Sequence, residues 1–198
     1  MRDEISRLTD ALARPSGESS DFDLNPAIRT PLVRPLRPAA VLVGVWIRPE
    51  GARLILTKRA SHLKHHPGQI AFPGGKVDSA DSGPQAAALR EAQEEIGLPA
   101  AQVQVLGHLP AHETVTGFSV TPILGLVHGD FLPVPEAGEV EEAFSVPLSH
   151  VLDRNRYVIE GRIWQGQTRR YYAVPYGPYY IWGATARILR GLAERVSA

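Results

Sequence analysis

The sequence contains no cysteine among its 198 residues. This absence excludes disulfide bonds, thiolate metal sites and a cysteine nucleophile, and it is compatible with a reducing compartment. Neither sign of charge is in excess, because 21 Lys and Arg residues balance 21 Asp and Glu residues. General nucleic-acid and membrane-surface binders usually carry a basic excess. We therefore expect no nucleic-acid partner and no membrane partner.

The sequence also lacks an apolar run of the roughly 20 residues that a membrane-spanning helix needs. Residues 1–15 predict a short amphipathic helix with acidic residues, without the apolar central run of a secretion signal. We expect a soluble, cytoplasmic protein. The hydrophobic fraction of 43% is that of an ordinary globular protein, and the length favours one domain, with two as the upper limit.

The chain divides near residue 38. Residues 1–38 predict the first helix followed by an irregular strap, because positions 15–38 are rich in proline and polar residues. Residues 39–198 predict the domain on which this segment packs. Within it, β-rich runs at 39–47 and 52–59 flank a turn that contains Pro and Gly, which predicts a hairpin.

The remaining pattern mixes strands and helices without strict alternation. Such a mixture predicts an α+β domain in which a mixed β-sheet lies between helices on both faces. A helix is expected from Pro84 or Gln85 to Ile96, because Gly97 is a common C-terminal cap residue. Further strands are predicted at 102–109, 118–127, 156–164 and 169–175, and a terminal amphipathic helix at 181–196.

The helix predicted at 84–96 gathers charge on one face. At about 100° per residue, Arg90, Glu91, Glu94 and Glu95 fall within an arc of roughly 140°, opposite an apolar face. A solvated helix face would explain an ordinary run of glutamates. Here, however, Glu91 and Glu95 repel each other at i,i+4 spacing, and the acids lie toward the negative end of the helix dipole. A hard divalent cation relieves this cost, because carboxylates one turn apart can share Mg²⁺ or Mn²⁺.

Two adjacent glycines, Gly74 and Gly75, precede this helix. Glycine permits close approaches that a Cβ would forbid, so a carbonyl at Gly75 could face the same ion. A phosphate-binding P-loop is excluded, because the positions that need Gly and Ser or Thr are Ile70 and Val77. The glycines therefore favour the metal interpretation.

The stretch GGKVDSADSGPQAAALREAQEEIGL, residues 74–98, strongly resembles the Nudix box. From Arg90 to Leu98 the match is complete. Upstream, the acid is Asp81 rather than Glu, and eight residues rather than seven separate it from Arg90, which leaves the role of Asp81 open. The resemblance implies an α/β/α sandwich and metal-dependent hydrolysis of a diphosphate that links two organic groups. It implies Glu91, Glu94, Glu95 and Gly75 as ligands of Mg²⁺ or Mn²⁺, and Arg90, Glu94 and Glu95 as the catalytic set.

The preceding segment, LILTKRASHLKHHPGQIAFPGG, resembles the extra motif of the coenzyme A pyrophosphatase branch of Nudix hydrolases. The resemblance implies that Arg59, Gln69 and Phe72 bind substrate. Lys58, Arg59 and Lys64 would offer cations to the 3′-phosphate of coenzyme A. The alternative is structural, with Arg59 ending the hairpin and Gln69 bracing the loop.

Two further features bear on this branch. His65 and His66 are adjacent, and adjacent loop residues rarely share one ion, so loop hydrogen bonding is favoured over metal binding. The segment YYIWGATARIL resembles the closing segment of the branch, although Tyr180 stands where we expect a histidine. The resemblance therefore extends over most of the chain, from about residue 39 to about residue 189.

The implied reaction is attack of water on one phosphorus of coenzyme A, giving 4′-phosphopantetheine and adenosine 3′,5′-bisphosphate. Bound metal would neutralise the diphosphate and lower the pKa of the water, and a carboxylate would take its proton. Arg90 would hold a glutamate in place by a charge-assisted bond. The base stays open between Glu94 and the acids of GEVEEAF, which are Glu139, Glu141 and Glu142.

Two other interpretations of the function remain. One is a Nudix hydrolase of ADP-ribose or another nucleoside diphosphate derivative, which the box alone allows and the upstream motif disfavours. The other is a non-catalytic Nudix-like domain that binds a ligand, although such a domain would be expected to lose the metal carboxylates. The partner is a coenzyme A-like small molecule in the first interpretation, and the protein is expected to be a monomer or a homodimer.

Overall fold

The computed structural model describes residues 2–29, 35–164 and 166–197. Its helices are α1 (Arg2–Ala13), α2 (Pro84–Ile96), α3 (Leu148–Leu152) and α4 (Gly183–Ser197). Its strands are β1 (Ser19–Ser20), β2 (Arg37–Arg48), β3 (Gly51–Arg59), β4 (Ile70–Ala71), β5 (Gly74–Lys76), β6 (Val103–His108), β7 (His112–Glu113), β8 (Phe118–Val127), β9 (Val140–Pro147), β10 (Val158–Trp164) and β11 (Gln167–Ala173). Within the described residues, no helix is both long and apolar enough to cross a membrane.

Within the described residues, nine strands form one mixed sheet and β10 and β11 form a separate antiparallel hairpin. The long strands β2 and β8 run parallel, from the pair of Arg37 with Phe118 to the pair of Trp46 with Val127. Strand β3 lies antiparallel to both β2 and β9. The short strand β5 pairs with the first half of β2 and so places the two glycines beside the centre of the sheet.

Successive residues of the central strands are buried on opposite faces of the sheet. On β3, Leu54 and Leu56 belong to one apolar cluster, whereas Ile55 belongs to another. The first cluster includes residues of α1, α3 and α4, and the second includes residues of α2. Because side chains alternate along a strand, this pattern means that helices cover both faces of the sheet. The expected α+β sandwich, with a mixed sheet between helices, is confirmed.

Helix α1 packs against α4 through a buried arginine. The Arg195 guanidinium of α4 donates to the main-chain oxygens of Ala11 at 2.7 Å and Leu12 at 3.0 Å. Leu8 and Ala11 of α1 are fully buried in the same apolar cluster as Leu189 and Leu192 of α4. Arg195 thus satisfies carbonyls at the C-terminal end of α1, where cationic groups are favoured.

The strap that follows α1 is held by polar contacts at its middle. His112 is fully buried and contacts both Ser19 Oγ at 2.9 Å and Asp21 Oδ1 at 3.1 Å. The segment is less irregular than predicted, because β1 and a short 3₁₀ turn lie within it and β2 begins at Arg37. Residues 30–34 of the predicted strap lie outside the described residues. The division of the chain at residue 38 stays a prediction.

Most predicted elements are present, but several were missed, among them the short strands β1, β4, β5 and β7. The hairpin of β2 and β3, the strand β8 and the helix α2 lie where the pattern placed them, and α2 ends at Gly97, which is left-handed and donates its N–H to the Gln93 carbonyl at 3.0 Å. The predictions did not include β9 or α3. Glu141 and Glu142, two of the candidate bases, lie on strand β9.

Candidate active site

The glycine pair brings β5 into direct contact with α2. The main-chain N–H of Gly74 donates to Glu95 Oε2 at 3.0 Å. A Cβ on Gly75 would overlap the carboxylate of Glu91, and a Cβ on Gly74 would overlap the main chain of Ala40 and Val41. Both positions therefore need glycine for a steric reason. The sheet can approach α2 closely only because these two side chains are absent.

Arg90 organises the acidic side chains around it. Its Nε and Nη2 atoms donate to the two oxygens of Asp81 at 3.1 and 3.0 Å, and its Nη1 donates to Glu91 and Glu94, each at 3.0 Å. The bond to Asp81 is the largest cause of the raised pKa of Arg90. Asp81 also accepts the main-chain N–H of Asp78 at 2.8 Å. Asp81 therefore fixes the guanidinium, and the guanidinium fixes two glutamates.

This network corrects part of the charge argument made from sequence. The repulsion around Glu91 is not uncompensated, because Arg90 lies between Glu91 and Glu94 and bonds to both. Glu95 also departs from the exposed face assigned to it, since only 5% of it is exposed. Helical geometry placed Glu95 beside the other acids, but β5 covers it.

Burial raises the pKa of Glu95 to about 7. The hydrogen bond from Gly74 acts in the opposite direction, whereas the charges of Glu91 and Glu139 raise it further. Burial is also the main cause of the raised pKa of Glu91, against the lowering effect of Arg90. A carboxylate desolvated in this way binds either a proton or a cation, because its charged form is poorly compensated otherwise.

The acids of the GEVEEAF segment separate into different surroundings. Glu141 accepts from Lys58 Nζ at 2.6 Å and from the Ser61 hydroxyl. Glu142 accepts from the Tyr179 hydroxyl at 2.5 Å. Glu139 is exposed, and its charge contributes to the raised pKa of both Glu91 and Glu95. Of these three acids, Glu139 is the one whose charge raises the pKa of both Glu91 and Glu95.

Two main-chain contacts explain how Glu139 reaches this position. The loop before β9 covers the C-terminal end of α2, where the Glu136 N–H donates to the Glu95 carbonyl at 2.9 Å. The Ala60 N–H, just after β3, donates to the carbonyl of Glu139 at 2.9 Å. Helix ends leave unpaired carbonyls. The loop satisfies two of them, those of Glu95 and Ile96, and its bond to Ala60 ties Glu139 to the end of β3.

A cavity of about 160 Å³ lies beside Glu95. Its walls include all three residues predicted to bind substrate, which are Arg59, Gln69 and Phe72, together with residues from α4 such as Thr185. Lys58 does not line it, because its ammonium group pairs with Glu141. Of the three cations Lys58, Arg59 and Lys64, Arg59 therefore lines the cavity and the two lysines do not.

Arg59 enters this cavity incompletely paired. Its buried Nε atom has no hydrogen-bond partner within the part of the chain that the structure describes. An unsatisfied buried donor costs roughly 1–3 kcal/mol, and more when the group is charged. Burial raises the pKa of Glu95, and the positive charge of Arg59 partly offsets this; burial lowers the pKa of His66, and Arg59 lowers it further. The site thus offers a cationic donor that a bound anion would satisfy.

The donor set is chemically suited to Mg²⁺ or Mn²⁺ but is not assembled around a point. Among the described residues, no three His, Asp or Glu side chains are grouped closely enough to hold an ion. Two of the predicted ligands, Glu91 and Glu94, instead accept hydrogen bonds from Arg90. Glu95 and Glu91 nevertheless provide hard oxygen donors at the contact with Gly74 and Gly75. A bound ion would compete with Arg90 for Glu91.

Comparison with known proteins decides the family. Residues 38–163 match the family model of the NUDIX domain, which is more than half of the chain. The chain belongs to the Nudix hydrolase family. The matched range contains α2, the two glycines, Arg59 and Glu139, whereas the cavity wall formed by α4 lies after it.

Curated relatives agree with this assignment. The chain is 45% identical over 160 residues to the uncharacterized Nudix hydrolase NudL of an Enterobacter species, covering 81% of this chain and 83% of the relative. The NudL protein of Salmonella newport gives the same identity and coverage. These relatives carry no assigned substrate.

Solved structures show the same fold. A Nudix hydrolase from M. smegmatis, RenU, superimposes with a TM-score of 0.51 at 28% identity, covering 61% of this chain and 76% of that chain. The MutT protein of Methanosarcina mazei gives a TM-score of 0.53 at 18% identity and covers 84% and 96% of the two chains. The expected Nudix-type sandwich is thereby confirmed.

Sequence reasoning named the residues on α2 and expected Arg90 to bond to a glutamate, as it does, but it missed the pairing of Arg90 with Asp81. Eight residues separate Asp81 from Arg90 in the sequence, and their side chains form an ion pair. The unusually long spacer of this Nudix box was the sequence feature that could have indicated this pair. Helix α4 forms one wall of the cavity. The resemblance of the YYIWGATARIL segment, which contains Thr185, was a weaker indication of this contact. That hydroxyl donates to the Ile70 carbonyl at 3.1 Å and ties α4 to β4.

Proposed function

We propose that this Nudix hydrolase cleaves coenzyme A to 4′-phosphopantetheine and adenosine 3′,5′-bisphosphate. One observation carries the proposal: Arg59, whose buried Nε has no hydrogen-bond partner among the described residues, lines the same cavity as Glu95. An anionic group of a diphosphate substrate would accept from this guanidinium by a charge-assisted bond. The resemblance of the segment around Arg59 to the coenzyme A pyrophosphatase motif supports the same substrate.

The metal site of this proposal comprises Glu91, Glu94, Glu95 and the carbonyl of Gly75. A Mg²⁺ or Mn²⁺ ion held there would neutralise diphosphate charge and lower the pKa of the attacking water. Arg90 positions Glu91 and Glu94 without needing to touch substrate, because its bonds already go to carboxylates and to the Lys76 carbonyl. Gln69 and Phe72 form the cavity wall against which substrate lies.

Glu139 is the base of this proposal. The water oxygen bonds to one phosphorus, the bridging P–O bond breaks, and the proton of the water passes to the Glu139 carboxylate. Glu141 and Glu142 are engaged by Lys58 and Tyr179, which leaves Glu139 as the acid of its segment whose charge acts on both Glu91 and Glu95. Glu94 stays the alternative, although Arg90 holds one of its oxygens.

Product analysis tests the substrate. Coenzyme A and ADP-ribose are offered side by side with Mg²⁺ or Mn²⁺, and products are identified by mass spectrometry. Cleavage of coenzyme A to the two named phosphates supports the proposal. Preferential cleavage of ADP-ribose would transfer the assignment to the alternative substrate class, and no cleavage of any diphosphate would favour the non-catalytic interpretation.

A second comparison tests Arg59 as the group that recognises the 3′-phosphate. A charge-assisted contact contributes roughly 1.5–3 kcal/mol, so the parent should prefer coenzyme A over its 3′-dephospho analogue by about one to two powers of ten in kcat/KM. Arg59→Ala should lose most of that preference. Lys58→Ala is the matched control, because Lys58 pairs with Glu141 outside the cavity. Equal treatment of both substrates by the parent would reject this role.

A further inference from the structure

Strand β10 forms an exposed apolar edge. Every residue of β10 is exposed, including Ile159 at 54%, Ile163 at 76% and Trp164 at 52%. Within the described residues, β10 pairs only with β11, so one side of its main chain has no strand beside it. Long apolar edge strands are usually protected by charges, bulges or a partner. A second strand paired with this edge would protect it.

The free main-chain groups of β10 can be identified from the opposite strand. Both main-chain groups of Arg170 on β11 bond to the Asn25 side chain, at 2.7 and 2.8 Å, and so they point away from β10. Gly161 is opposite Arg170. In an antiparallel ladder, opposite residues turn their main-chain groups the same way, either toward each other or outward. The N–H and C=O of Gly161 therefore point to the free edge, as do those of Ile159 and Ile163.

The sequence of β10, VIEGRIW, is self-complementary about Gly161. If two copies of β10 lie antiparallel with Gly161 opposite itself, residues whose numbers are equally far from 161 face each other. The facing pairs are Ile159 with Ile163, Glu160 with Arg162, and Val158 with Trp164. Two pairs are apolar and one carries opposite charges, and such cross-strand pairs stabilise a sheet. The same centre makes Gly161 bond to Gly161 through the outward groups already identified.

Arg162 lacks an opposite charge within one copy. Across the hairpin it faces Arg169, and like charges directly opposite one another destabilise a strand pair. Within the described residues, no acidic side chain forms an ion pair with Arg162. In the self-paired arrangement, Glu160 of the second copy would lie opposite it.

We propose that the protein is a homodimer in which β10 pairs antiparallel with β10 of a second copy, with Gly161 on the two-fold axis. The pairing would add about six main-chain hydrogen bonds and turn two hairpins into one four-stranded sheet. It would also stop at two copies. Asn25 at Arg170 and Trp182 at Ala173 occupy the outer edge of β11 at two positions, which would block a further copy from pairing along that edge.

Charge reversal tests the pairing in solution. Glu160→Arg and Arg162→Glu each place like charges opposite one another twice in the dimer, and each should raise the dimer Kd about tenfold or more. An equimolar mixture of these two variants places opposite charges in both pairs, so it should form a heterodimer. Analytical ultracentrifugation over about 1 µM to about 1 mM measures this. Tyr180→Phe is the control for Glu160, because it removes the 2.5 Å bond from Tyr180 without changing the edge charge.

Cysteine cross-linking tests the register. The chain has no cysteine, so a variant with Glu160→Cys and one with Arg162→Cys carry a single thiol each. Residues 160 and 162 of different copies form a pair without main-chain bonds, where Cα atoms lie about 4.5 Å apart, within disulfide range. The mixture should oxidise to a heterodimer faster than either variant alone. A parent that stays monomeric throughout the concentration series, or dimers that survive both charge reversals unchanged, would reject the proposal.

Discussion

The main-chain N–H of Gly74 donates to Oε2 of Glu95 at 3.0 Å, which joins strand β5 to helix α2 at the candidate active site. The bond satisfies one oxygen of a carboxylate that is otherwise buried, and so it makes an acidic side chain tolerable beneath the sheet edge. The other oxygen has no hydrogen bond among the described residues.

We expect Glu95→Gln to abolish most hydrolysis while preserving the fold. The amide oxygen can still accept from Gly74, but it cannot supply a negative charge to a metal ion, so kcat/KM should fall by about 100-fold or more. The melting temperature of the metal-free protein should be unchanged or higher, because the substitution removes a buried carboxyl group that is partly charged. Glu136→Gln, on the exposed loop, is the control. Near-normal turnover in folded Glu95→Gln would exclude Glu95 as a ligand.

The stability of the metal-free protein should fall as pH rises. The pKa of Glu95 is raised from 4.5 to about 7, so between these values the folded protein holds a proton that the unfolded chain has released. The free energy of unfolding should therefore decrease across pH 4.5–7, by about 3 kcal/mol at most. Urea unfolding in the presence of a chelator measures it. The slope should be smaller in Glu95→Gln, and an equal slope in both proteins would contradict the assignment.

Arg90→Ala should lower kcat more than it raises KM, because Arg90 positions Glu91 and Glu94. Asp81→Asn should reproduce part of the effect, since it weakens the paired contact that orients Arg90. The two substitutions together should cost less than the sum of their separate effects. If Arg90→Ala mainly weakened substrate binding with kcat preserved, Arg90 would belong to the substrate pocket.

Gly75→Ala and Gly74→Ala should fail in different ways. The new Cβ at position 75 would meet the Glu91 carboxylate, a side chain that can move, so activity should fall more than stability. At position 74 the new Cβ would meet main chain, so the melting temperature itself should drop. Gly17→Ala has no atom within 4 Å of its new Cβ and serves as the control. Equal losses of stability at positions 74 and 75 would contradict this distinction.

Glu139→Gln should reduce kcat by about 10²–10⁴-fold if Glu139 takes the proton from water. The pH dependence of kcat should also lose its acidic limb. Glu141→Gln is the matched control, because Glu141 lies on the same segment but pairs with Lys58. If Glu139→Gln is nearly as active as the parent while Glu94→Gln is not, the base is Glu94.

Much of the fold was predictable because local signals agreed with tertiary packing. Pro84 at the start and Gly97 at the end bounded α2 correctly, since both residues act within one helical turn. Strand β9 was missed because Glu141 and Glu142 interrupt its apolar pattern. Their partners, Lys58 and Tyr179, are distant in sequence, and no local signal shows that such charges are paired.

The site was predictable in composition but not in electrostatics. The spacing of the glutamates placed Glu95 on the same helix face as Glu91, and the charge of Glu91 does act on Glu95. What the spacing could not show is that β5 covers Glu95, since this depends on the missing side chains of Gly74 and Gly75. In the same way, the paired roles of Arg90 and Asp81 depend on how the loop folds back on the helix.

Helix α4 contacts the candidate cavity at its first turn and helix α1 near its last turn. Its 15 residues extend about 22 Å, with Thr185 at one end lining the cavity and Arg195 at the other end gripping α1. A tilt imposed at Arg195 would therefore move the cavity wall at Thr185. The contact between Arg195 and α1 thus fixes the far end of the helix whose first turn lines the candidate cavity.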